Sequence, residues 1–85
     1  MSKLKKAKDR IISEPKDYTY SEAKSLLISL GFVENSKGKT SGSRVMFYRN
    51  EDKLSIMLHK PHPGDEMKLY AIRQLKVFLK ENGEI

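Results

Sequence analysis

The chain has 85 residues, enough for one small domain, and its 17 Lys and Arg outnumber 11 Asp and Glu for a net charge of +6. It has no cysteine, which excludes a disulfide framework and a thiolate metal site. No apolar run approaches membrane-spanning length, and the Lys-rich N-terminus lacks the apolar segment of an export signal. The expectation is a cytoplasmic protein with no membrane association.

Taken in chain order, Leu4, Ala7, Ile11 and Ile12 recur at helical spacing among Lys3, Lys5, Lys6, Lys8 and Arg10. That pattern predicts a short basic helix, which Pro15 ends. Thr19-Tyr20-Ser21-Glu22 has the spacing of a capping box, and Ala23, Leu26, Leu27 and Leu30 follow as an apolar stripe. Gly31 supplies the left-handed stop, so a second helix is predicted from about Tyr20 to Leu30. From Phe32 to His59 the period changes to two, giving strands at Phe32–Ser36, Ser43–Arg49 and Leu54–His59. A Gly-rich basic loop joins the first pair and Asn50-Glu51-Asp52-Lys53 the second. Met67 to Asn82 carries Leu69, Ile72, Leu75, Phe78 and Leu79 at helical spacing, with Gly64 or Asp65 at its start and Gly83 past its end.

The predicted fold is α+β, α-β-β-β-α, with a three-stranded antiparallel sheet and its helices on one face. Residues 1–16 form a basic helix or arm in front of a domain spanning 17–85. The hairpin register follows from burial. Pairing Val45 with Leu58 and Phe47 with Ile56 makes an apolar face for the helices. The same register sets Arg44 opposite His59, Met46 opposite Met57 and Tyr48 opposite Ser55 on the open face.

Between Asn35 and Tyr48 there is no acidic residue, whereas Lys37, Lys39 and Arg44 are present. The acids gather at turns and helix starts, and a separated pattern of this kind makes a directed field. Backbone amides of the Gly38–Gly42 loop, with Ser41 and Ser43, are suited to cradling a phosphate. Arg44 and Lys60 add charged donors, and His59 and His62 can move a proton near neutral pH. Together these groups suit RNA cleavage by its own 2′-hydroxyl, which requires no metal. With only a Lys-Pro between the two histidines and no acid nearby, a metal site is not expected, and no cofactor is implied. Each residue also has a structural reading: His59 capping a carbonyl, His62 fixing a turn, Arg44 paired with Glu34 or Asp52.

The helix ending Leu30-Gly31-Phe32, the Lys-Gly-Lys and Ser-Gly-Ser loop, the His-Lys-Pro-His-Pro corner and the closing amphipathic helix resemble the HicA (YcfA-like) toxin family from about Thr19 to Gly83. The resemblance implies a double-stranded-RNA-binding-domain-like fold, metal-independent mRNA interferase activity and a HicB-like antitoxin that covers the active face. In typical members a histidine taken as catalytic follows the loop's Gly-Ser, and here Arg44 follows Gly42-Ser43. A guanidinium stays protonated near neutral pH and cannot be a base there. The expectation is therefore a toxin that contacts RNA through Lys37, Lys39, Ser41, Ser43, Arg44 and Lys60. His59, with Arg44 and His62, would carry any catalysis. The alternatives are a non-catalytic RNA-binding module and a protein-interaction domain whose open face takes an acidic partner.

Overall fold

In a computed structural model of the chain, which describes residues 3–35, 44–61 and 64–85, the elements follow the order α1 Lys3–Ile12, α2 Tyr20–Ser29, β1 Val33–Asn35, β2 Arg44–Arg49, β3 Leu54–His59 and α3 Leu69–Glu81. The three strands form one antiparallel sheet in the order β1-β2-β3. This is the expected α-β-β-β-α arrangement, preceded by one helix.

Local chemistry sets the helix ends. The Thr19 hydroxyl accepts from the Glu22 amide at 3.1 Å while Glu22 accepts from the Thr19 amide at 3.3 Å, the reciprocal capping box. At the other end of α2, Gly31 takes φ +96°, and the Phe32 amide reaches back to the Leu27 carbonyl at 2.9 Å. Gly83 closes α3 in the same way, at φ +73°, with the Glu84 amide on Leu79. Both are left-handed stops of the kind glycine adopts without steric cost.

Two boundaries differ from expectation. Asp65, expected at the start of the last helix, instead serves α2: its carboxylate accepts from the Ser21 hydroxyl at 2.7 Å and its carbonyl from the Tyr20 amide at 2.7 Å. Residues 65–67 pair with 18–20 through the Thr19–Glu66 bridge and the Met67 amide on the Tyr18 carbonyl. That pairing holds them extended, so α3 begins at Leu69, and Leu69 itself is exposed. The first strand also starts one residue later than expected, at Val33. Phe32 stands outside it as a core residue, edge-on to Phe78 at 5.9 Å.

The core lies between the sheet and the helices. Val45, Phe47, Ile56 and Leu58 meet Ala23, Leu26 and Leu27 of α2 and Ile72, Leu75 and Leu79 of α3, and α1 adds Ile11. Arg49 closes one end of this layer. Its guanidinium donates to the Leu30 carbonyl at 2.7 Å, to Asp52 at 2.6 Å and to Glu84 at 2.7 Å, and lies 4.6 Å from the Phe32 ring centroid. A Cβ on Gly31 would come within 3.3 Å of the Arg49 side chain, a second reason for glycine there.

The hairpin register is Arg44–His59, Val45–Leu58, Met46–Met57, Phe47–Ile56 and Tyr48–Ser55, as burial of the aliphatic residues requires. Neighbouring substitutions check it. Phe47→Ala is expected to cost about 3–5 kcal/mol in chemical denaturation. Met46→Ala, on the open face, should stay within about 0.5 kcal/mol of the parent. The reverse ranking would mean a one-residue slip.

Candidate nucleic-acid interface

Strand alternation assembles the open face in three rows: Val33–Tyr48–Ser55, Asn35–Met46–Met57 and Arg44–His59. Val33 and Met46 are 50% and 40% exposed, and Arg44 and His59 are also exposed. None of these eight side chains is a carboxylate. The face therefore combines an apolar centre with a guanidinium and an imidazole held across the end of the β2–β3 ladder.

Carboxylates are drawn to the helix side instead. Glu34 lies between the two open-face residues of β1, so its side chain turns inward and accepts from Lys24 at 3.0 Å and the Tyr20 hydroxyl at 2.8 Å. Burial pushes its carboxyl up, but the Lys24 and Tyr20 hydrogen bonds outweigh that and hold it below its ordinary value. Asp52 is engaged by Arg49, which draws its carboxyl below the usual range. The two acids weighed as partners for Arg44 thus have cations of their own.

Of the expected site residues, Arg44 and His59 are brought together. Lys60 follows His59 directly, and its ammonium stands 5.8 Å from the centroid of the Tyr20 ring, drawn toward the helix side. Lys37, Lys39, Ser41, Ser43 and His62 lie outside the described residues. The lysines of α1 belong to the helix layer, because α1 packs against α2 and α3. Among the described residues no three His, Asp or Glu side chains converge in a way that could hold a metal ion.

One feature of the site was not anticipated from the sequence. A groove of about 730 Å³ runs from His59 and Lys60 to the start of α3, where Glu66, Lys68 and Tyr70 line it. Tyr70 is 64% exposed, the most solvent-open of the large hydrophobic residues described. The signal was an aromatic residue at the first turn of a helix beside a basic corner. Helical periodicity gave it no weight, since it falls off the apolar stripe.

The charge partition has a consequence in acid. The carboxyl groups of Glu14, Glu22 and Glu34 all lie below the ordinary value of 4.5. Hydrogen bonds from Lys76 and then Arg73 hold down Glu14, and one from Arg10 holds down Glu22. Groups depressed on folding contribute stability that is fully present above the unfolded value and lost as pH falls through the folded one. The thermal midpoint should therefore change little from these groups between neutral pH and about pH 5 and drop below about pH 4.5. A midpoint that rises on acidification below that point would contradict the assignment.

The family model for the HicA toxin of bacterial toxin–antitoxin systems matches residues 20–83, leaving α1 outside the match. No curated protein and no solved structure matches the chain.

Proposed function

Because the chain belongs to the HicA toxin family, we propose that it binds RNA on the open sheet face and cleaves mRNA there without a metal ion. The observation that carries this reading is the Arg44–His59 pair on a face whose described strand residues include no carboxylate. A phosphate approaching that face meets positive charge and donors with no repelling anion among those residues.

In the proposed reaction His59 takes the proton from a ribose 2′-hydroxyl. The 2′-oxygen attacks the adjacent phosphorus, the bond to the 5′-oxygen breaks, and a proton returns to that oxygen. Arg44 holds the equatorial phosphate oxygens, where charge builds in the transition state. Lys37, Lys39, Ser41, Ser43 and Lys60 belong to the phosphate-binding set, and His62 is the second candidate for proton transfer. A HicB-like antitoxin would cover the same face, using the exposed Val33 and Met46, and so compete with RNA. The division into a basic helix, 1–16, and a toxin domain, 17–85, is part of the same proposal, as is cytoplasmic action.

A second reading has its own support. The resemblance puts a histidine where this chain has Arg44, and a guanidinium binds phosphate without accepting a proton. A protein of that kind would bind RNA and leave it whole.

Incubation of an end-labelled mRNA with the purified chain in excess chelator separates the two. Cutting by the parent, reduced by about 100-fold or more in His59→Ala, is the expected result, given the usual contribution of a general acid or base. RNA bound by the parent, weakened in Arg44→Ala and never cut, would replace the nuclease by the binding module.

A further inference from the structure

The groove that leads away from His59 has a chemistry of its own. It starts at the residue paired with Arg44, so whatever fills it lies next to the group held by that pair. Its volume, about 730 Å³, falls within the range of small-ligand clefts. Tyr70, on the first turn of α3, presents a largely uncovered ring. Lys60 and Lys68 stand along the same groove.

Two carboxylates also line it, and they differ. Asp65 is occupied by the Ser21 hydroxyl and amide, at 2.7 and 3.3 Å. Glu66 is fixed in place by its backbone bridge to Thr19, and its exposed carboxylate has no ion pair or hydrogen bond among the described residues. A free carboxylate is a poor neighbour for phosphate but a good acceptor for the amino group of a base. An exposed aromatic ring, in turn, is a stacking surface for any base.

Resting on the RNA-binding reading above, we infer that this groove is a nucleobase subsite beside the scissile phosphate. Tyr70 stacks on the base, Lys68 meets the flanking phosphate, and Glu66 accepts from the exocyclic amino group. The subsite therefore favours cytosine over uracil, two pyrimidines that differ at position 4 in offering an amino donor or a carbonyl acceptor. Both Tyr70 and Glu66 stand on backbone fixed by secondary structure or bridging, which suits a site that selects.

The test is binding of fluorescent 2′-O-methyl oligo(C) and oligo(U) of equal length, which lack the attacking hydroxyl and stay intact. The parent should bind oligo(C) about tenfold more tightly than oligo(U). Tyr70→Ala should weaken oligo(C) about tenfold, and Tyr70→Phe should leave it within about twofold. Glu66→Ala should lower oligo(C) affinity to that of oligo(U). Were Glu66 merely a repelling charge, its removal would strengthen both, and that result overturns the inference. So does an equal affinity of the parent for the two oligomers, or indifference to Tyr70→Ala. If Arg44→Ala still weakens both oligomers in those cases, RNA binding on the open face survives and only the subsite falls. Failure of the parent to bind either oligomer removes both.

Discussion

The alternation of side chains along β2 and β3 is the constraint on which the rest of the molecule depends. Phe47, fully buried, and Val45 can reach the helices only if Arg44, Met46 and Tyr48 point away from them. The partner strand obeys the same parity, so burying Ile56 and Leu58 leaves Ser55, Met57 and His59 outside. The hydrophobic gain from the four inward residues is then also what holds Arg44 beside His59. Core and site are two faces of one register, and neither can shift alone.

Charge follows the same division. Arg10, Lys24, Arg49, Arg73 and Lys76 each take a carboxylate on the helix side or at the end of the sheet. These pairs are mostly near the surface, and individually they add little to stability. Their larger effect is on where negative charge is absent. With Glu34 held by Lys24 and Tyr20, the open face is left with its apolar centre and its cationic end. Such a surface suits a polyanion with stackable bases, and also a protein that must shield it.

Most of this was legible in the residues. The capping box at Thr19 and Glu22, the glycine stops at Gly31 and Gly83, and the hairpin register all depend on near neighbours or on strict periodicity. What could not be read depends on contacts between distant segments. Asp65 looks like a cap for the helix that follows it, but it belongs to α2, because residues 65–67 pair with 18–20. The groove ending at Tyr70 exists only once that pairing sets α3 against the end of β3. Lys60 is drawn to the Tyr20 ring, which lies far away in the chain. The resemblance to the toxin family spanned about Thr19 to Gly83, and the family match over residues 20–83 covers the same stretch.

The claim at the centre is that RNA meets the open face at Arg44 and His59. Amide chemical shifts of the ¹⁵N-labelled chain, followed while a short 2′-O-methyl RNA is added, test it most directly. The account expects the largest changes in residues 44–48 and 55–59, with the α1 residues Lys3–Lys8 nearly still. Changes confined to α1, with both strands unmoved, would place the contact on the basic helix and contradict it.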